Sequence, residues 1–289
     1  MVSNVPSKQR TVVVTGANVG IGLETAVGLA SFGDRVIMAC RNLAKAEAAA
    51  EEVRRRAYSD AVEVVPLDLA SFASVRECAA EIARRTERID VLVNNAGLVL
   101  SERSSTAEGI ESTFGVNHVG TMLLTTSLRP VLEDARIINL SSMAHWGARG
   151  GIPMPAVVDP PRYHGWLAYC RSKLANLWFT SELVRRWADD GIVTSAVHPG
   201  SVRSGFARDG DTTGLTGYLM KSPLSAPVMI SPQRGADTSV WLATADEPTS
   251  RSGLYWYKRK PARTAPWAKD AGGAERLWDF TEQLISQRS

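Results

Sequence analysis

Tyr169 and Lys173 stand four residues apart at the head of a strongly helical run. That spacing stacks both side chains on one helix face, about one turn apart. An ammonium beside a phenol favours the phenolate, so the pair predicts a Tyr169 pKa lowered by Lys173. A free phenol titrates near ~10, and a tyrosine that trades protons near neutrality needs such a neighbour. The same spacing occurs on any exposed amphipathic helix, so the pair gains meaning only from partners elsewhere. Two are candidates. Ser142 follows the apolar run 135–140, and Asn117 lies inside an otherwise apolar helical stretch. A plain turn or cap hydroxyl is the alternative for Ser142. An asparagine in mid-helix is unfavourable unless it bonds something specific.

A second chemistry is written near the amino terminus. The β-branched run 10–15 stops at Thr15-Gly16-Ala17-Asn18-Val19-Gly20-Ile21-Gly22 and leads into helical sequence. A strand, a glycine-rich turn and a helix start make an anion site, where backbone N–H groups and the helix dipole face a diphosphate. Glycines needed only for turn dihedrals are the alternative. At the tip of the next strand (35–41) stands Arg41, followed by Asn42, with no carboxylate. An acidic residue there would bond a free ribose 2′-hydroxyl, whereas arginine accommodates a 2′-phosphate, so the tip favours NADP(H) over NAD(H). Arg41 as a plain surface charge is the alternative.

The elements that would position these groups alternate regularly. Strands are expected at 10–15, 35–41, 62–69, 89–93, 135–140 and 192–197, with a seventh at 253–257. Helices are expected between them, including 43–57, 71–86, 107–133 and 169–189, then 233–243 and 271–287. Such alternation specifies α/β architecture: a single doubly wound Rossmann-type domain over 1–289, with a parallel sheet of about seven strands. Asp68 and Leu69 fall just past the third strand, where Asp68 could meet a ligand or help cap a helix, although Ser71 is the better cap. Asn94-Asn95-Ala96-Gly97 ends the fourth strand, where small and amide residues can lie under a nucleoside and knit strands together. His198-Pro199-Gly200-Ser201-Val202-Arg203-Ser204 ends the sixth. Residues 205–232 are rich in Gly, Ser and Pro and suit a lid over a substrate.

Composition is that of an ordinary globular chain: 289 residues, 44% hydrophobic, 22% charged, net charge +3. That charge is too mild to imply nucleic acid, and the arginine clusters read as solvated helix faces. Three widely spaced cysteines form neither a metal-ligand pattern nor a disulfide framework, which suits a cytoplasmic protein. The first nine residues are polar and no stretch reaches membrane-span length, so no membrane anchor is expected.

The ordered set of motifs resembles the short-chain dehydrogenase/reductase family over nearly the whole chain. Residues 15–22 are similar to its TGxxxGxG turn, 94–97 to its NNAG, and Pro199-Gly200 to its PG motif. Ser142, Tyr169 and Lys173 look like its catalytic serine and YxxxK, with Asn117 at the fourth position. Residues 140–145, residues 169–176 and the wide gap between Ser142 and Tyr169 look most like the retinol-dehydrogenase-like branch, which is mostly NADP(H)-dependent.

The resemblance implies a ketoreductase or alcohol dehydrogenase acting on a small-molecule carbonyl or alcohol. Ser142 and Tyr169 would bind the substrate oxygen, Tyr169 would carry the proton, and Lys173 would hold the nicotinamide ribose. Asn117 would anchor a water. Thr15, Asp68 and Asn94 would surround the adenosine, and Val202 and Ser204 the carboxamide. Many relatives pair through their two long helices, implying a homodimer or homotetramer. Trp146, Tyr163, Trp166, Phe206 and Tyr218 suggest a bulky apolar or aromatic substrate, unless they pack the core. His145 and His198 are expected to make structural hydrogen bonds, and Cys170 to pack. A carbon–carbon double-bond reductase and a dinucleotide sensor without turnover are the rival readings.

Overall fold

β-Branched and aliphatic side chains on both faces make Thr11–Thr15 a fully buried strand, β1, as parallel strands covered by helices must be. The computed structural model describes residues 9–202 and 229–288. Around β1 lie β2 (Arg35–Cys40), β3 (Val62–Pro66), β4 (Val91–Asn94), β5 (Arg136–Leu140), β6 (Val193–Val197) and β7 (Tyr255–Tyr257). The order is β3-β2-β1-β4-β5-β6-β7-β8, with seven strands parallel and the two-residue β8 (Lys260–Pro261) antiparallel to β7. The expected seven strands are therefore present, with one short edge strand added. The order reverses between β1 and β4, and the carboxyl ends there open the crevice where such sheets take ligands.

Strand alternation divides the core in two. Val13, Ile37, Leu92 and Ile137 face one helix layer, and Val12, Val14, Val36, Met38, Val91 and Val93 the other. The second layer holds α1 (Gly20–Ser31), α2 (Leu43–Ala57) and α7 (Pro232–Thr244). The first holds α3 (Phe72–Arg85), α4 (Ser112–Phe114), α5 (Thr121–Ser127) and α6 (Gly165–Arg186). α8 (Ala271–Gln287) packs on α6: Trp278 stacks on Phe179 with centroids 5.7 Å apart, and Arg186 lies over the Trp278 ring and pairs with Asp279.

The helix expected at 107–133 is shorter and interrupted. Gly109 turns the chain at φ +73, and the Glu111 carboxylate caps a helix that starts only at Ser112. A π-helical segment, Gly115–Gly120, then separates α4 from α5. The helices expected at 71–86 and 169–189 are α3, capped by Ser71, and α6, which begins earlier, at Gly165. Among the described residues no helix is long and apolar enough to cross a membrane.

Candidate active site

Six described helices have eight residues or more, and α1 is the exception among their amino termini. Asn42, Ser71, His164, Ser231 and Asp270 each cap their helix with a side chain, whereas Val19 offers α1 none. The first N–H groups of α1 are thus left for another acceptor, and a diphosphate suits them. The turn before them is built by close approach. Gly16 and Gly20 have φ +64 and +61, and a Cβ at Gly22 would stand 2.3 Å from the Gly16 carbonyl oxygen. Only glycines let strand and helix meet there. Asn18 and Ile21 are half-buried in this turn. Behind it, the Ala17 and Asn18 amides bond the Cys40 thiol, which burial pushes up to about 11.

Thr15 is spent on the scaffold. Its hydroxyl accepts from the Asn95 and Ala96 amides at 3.0 and 2.9 Å, tying β1 to the end of β4. Asn95, not singled out in the sequence, donates to the Thr15 and Gly16 carbonyls at 2.8 and 3.3 Å and so shapes the glycine turn. The amide of Asn94 turns inward instead, donating to Asn139 Oδ1 at 2.8 Å and Thr125 Oγ1 at 3.0 Å. In Asn94-Asn95 alternate pleats face opposite ways, so two like residues have unlike jobs. Ala96 lies under Gly16, and Gly97 lies against Asn117 and Lys173.

Arg41 is exposed at the β2 tip and makes no ion pair among the described residues. Asp68 closes an Asx turn onto the Ala70 amide at 2.9 Å, while Ser71, as expected, caps α3. Leu69 buries its side chain in the core, and its carbonyl lies where a Cβ at Gly120 would come within 2.3 Å.

Ser142, Tyr169, Lys173 and Asn117 come together at the carboxyl ends of β4 and β5. α6 is tied to β5 by Lys173 Nζ and Asn176 Nδ2, which donate to the Leu140 carbonyl at 3.1 and 2.9 Å, and by Ser141 Oγ, which donates to the Lys173 carbonyl at 2.8 Å. Asn117 is fully buried in the π segment. Its Nδ2 donates to the Leu98 carbonyl and to Ser172 Oγ at 2.8 and 2.9 Å, and its Oδ1 accepts from the Leu98 amide at 2.7 Å. These three bonds explain a polar side chain in an apolar helix. Ser142 Oγ accepts from the Ala144 amide at 3.1 Å, which leaves its hydrogen for the Tyr169 phenol.

The electrostatics differ from the expectation. Burial pushes the Tyr169 phenol up to about 12, opposed by the Ser142 hydrogen bond, while Lys173 stands 5.6 Å from the ring centroid. Burial brings Lys173 itself down to about 8. The predicted lowering of Tyr169 by Lys173 is absent, because the desolvation of a buried phenol outweighs an ammonium already engaged with a carbonyl.

Pro199 and Gly200 follow β6, with Gly200 at φ +94. Val202 pairs with Ile230 and packs with Ile21 over Gly235, which sets the end of β6 beside the glycine turn. Ser204, with residues 205–228 of the expected lid, lies outside the described residues. His198 is brought down to about 4 by burial and stacks on Tyr257 at 4.8 Å, as a structural group would. Cys170 is buried, its thiol pushed up to about 11, which suits packing.

The comparisons agree with this architecture. The short chain dehydrogenase family model matches residues 10–213. Human Retinol dehydrogenase 13 is 41% identical over 291 residues, covering 98% of this chain and 86% of its own length. Human Retinol dehydrogenase 12 is 40% identical, covering 99% and 89%. An uncharacterised protein from Mycobacterium Paratuberculosis, solved by crystallography, has 38% identity and a TM-score of 0.77, covering 96% of this chain and 94% of that one. The Pseudomonas aeruginosa RhlG/NADP active-site complex has 25% identity and a TM-score of 0.66, covering 86% and 94%. The chain belongs to the short-chain dehydrogenase/reductase family, whose members are oxidoreductases that bind a nicotinamide dinucleotide. Within that family it falls in the retinol-dehydrogenase-like branch.

Proposed function

We propose that the chain is a cytoplasmic NADP(H)-dependent ketoreductase or alcohol dehydrogenase for a bulky apolar or aromatic substrate, with Tyr169 as acid and base. The observation that carries this reading is the Ser142–Tyr169 hydrogen bond with Lys173 packed beside it, at the sheet edge that also holds the uncapped α1 turn. Gly16, Asn18, Gly20, Ile21 and Gly22 would hold the diphosphate, Arg41 the 2′-phosphate, and Asp68, Ala96 and Gly97 the adenosine half. Tyr169 and Lys173 would meet the nicotinamide ribose, with Pro199, Gly200, Val202 and Ser204 toward the carboxamide.

When bound, the nicotinamide supplies or accepts hydride. The residues supply the rest. Tyr169, held protonated by its burial, donates its proton to the substrate oxygen as charge develops there, and the Ser142 hydroxyl donates a hydrogen bond to the same oxygen. Lys173, close to neutrality, returns a proton toward the phenol. Asn117 forms the polar wall beside Lys173 where a water could lead to solvent. Substrate size is supported by exposed apolar groups near the pair: Met143, Trp146 and Trp166 are 60%, 43% and 45% exposed. Tyr163 instead bonds the Leu100 carbonyl and Thr113, and so belongs to the scaffold. The relatives' name, retinol dehydrogenase, also points to a long apolar alcohol. If copies pair through the long helices, they must use the part of α6 that α8 leaves uncovered.

The test is binding of NADPH and NADH to the purified protein, followed by NADPH oxidation against bulky aldehydes and ketones. Tight NADPH binding, with turnover abolished in Tyr169→Phe, is expected. A product with its carbonyl intact would mean double-bond reduction, and binding without turnover would mean a sensor.

A further inference from the structure

His145 is fully buried, three residues beyond Ser142, and both its ring nitrogens are engaged. Nδ1 donates to the Ser142 carbonyl at 2.6 Å, and Nε2 accepts from the Ala265 amide at 3.1 Å. One donor and one acceptor define the neutral tautomer with hydrogen on Nδ1. The main chain of His145 adds to the link. Its amide donates to the Ser142 carbonyl at 3.2 Å, and its carbonyl accepts from Trp267 Nε1 at 2.9 Å. Tyr255 packs edge-on against the ring at 5.3 Å and so blocks its rotation. The segment at 265–267 is braced in turn, since the Trp267 carbonyl accepts from Trp178 Nε1 on α6 at 3.1 Å. Ser142 and Tyr169 thus belong to a closed circuit: Ser142 to His145, His145 to residues 265–267, and these back to the helix that carries Tyr169.

We propose that His145 is the positioning residue for Ser142: its Nδ1–H, braced through Nε2 against Ala265, holds the Ser142 main chain so that Oγ points at the Tyr169 phenol. The proposal rests on the reading of Ser142 and Tyr169 as the groups that bind the reacting oxygen. Ser142 is the N-cap of a short 3₁₀ helix, Met143–Gly147, whose five residues give little rigidity of their own. A hydroxyl misplaced by about 1 Å can cost on the order of 100-fold in rate, so an external brace has a kinetic effect out of proportion to its size.

The test is a double-mutant cycle of His145→Leu and Ser142→Ala, with the isotopically labelled phenol carbon of Tyr169 followed by NMR in each protein. His145→Leu should lower kcat for carbonyl reduction at least tenfold with NADPH affinity unchanged. In the Ser142→Ala background it should cost less than about twofold, since there is no hydroxyl left to place. The Tyr169 resonance should move in His145→Leu as it does in Ser142→Ala. His145→Asn, which keeps a donor for the Ser142 carbonyl, should recover most of the rate and serves if the leucine variant does not fold. Equal losses in both backgrounds, or an unmoved Tyr169 resonance, would overturn the proposal. Were Ser142→Ala itself fully active, the reading of the site would fail instead, while the NMR comparison would still report whether His145 sets the Ser142–Tyr169 contact.

Discussion

Lys173 donates its ammonium to the Leu140 carbonyl, 3.1 Å away, and so fastens α6 to the last residue of β5, two positions before Ser142. Burial there brings its pKa down from 10.5 to about 8. If Lys173 passes a proton toward Tyr169 as proposed, that proton is lost as pH rises through this value, so kcat/KM for reduction should fall above about pH 8. A profile flat to pH 10 would remove Lys173 from the relay.

The same burial links to stability. Between about 8 and 10.5 the unfolded chain binds more protons at Lys173 than the folded one. Stability from this group therefore rises with pH across that window and is lost as pH falls through about 8, with a slope of up to ~1.4 kcal/mol per pH unit. The buried Cys40 and Cys170 thiols, pushed up to about 11, act in the opposite sense over the same window, so the urea midpoint of wild type relative to Lys173→Met should rise with pH there.

Asn117 satisfies the amide and carbonyl of Leu98 and the Ser172 hydroxyl at once. Removing it leaves buried polar groups unpaired, so Asn117→Ala should cost about 2–4 kcal/mol in urea unfolding. A loss below ~1 kcal/mol would mean that water replaces the amide without strain.

A methyl group at position 22 would collide with the Gly16 carbonyl, a backbone atom that cannot swing aside. Gly22→Ala should lower dinucleotide affinity at least tenfold in a fluorescence titration, because the turn must open to admit it. Unchanged affinity would mean that the diphosphate does not use this turn.

Arg41 is exposed at the β2 tip and makes no ion pair among the described residues, as the proposed 2′-phosphate contact requires. Arg41→Ala should weaken NADPH about tenfold or more and leave NADH within about twofold, a charge-assisted contact being lost in one case only. Equal effects on both would identify Arg41 as a surface charge.

Trp166 lies tilted over Tyr169 with centroids 5.9 Å apart and is nearly half exposed. Trp166→Ala should lower kcat/KM for the largest apolar aldehydes about tenfold and for the smallest by less than twofold. A uniform loss across the size series would instead mark Trp166 as support for α6.

Much of this was readable from local pattern. The apolar runs became strands within a few residues of their expected bounds, Ser71 caps α3, and the Tyr169–Lys173 stretch is a helix. What was not readable depends on contacts between distant segments. Nothing in Asn94-Asn95 says which amide faces the turn and which the core, since register decides it. The π segment around Asn117 follows from bonds to Leu98 and Ser172, not from its own residues. The raised Tyr169 pKa reflects burial, which spacing does not report. His145 meets Ala265 from 120 positions away.

The packing of α8 on α6 bears on how the chain is made. The strands β1 to β4 and their helices come from residues 11–94 and can assemble early in synthesis. Trp278 on α8 covers part of α6, and the proposed brace on Ser142 needs residues 265–267. A nascent chain halted before residue 265 should already hold its nucleotide turn but lack a placed serine and a covered α6, so dinucleotide binding should precede turnover on the ribosome.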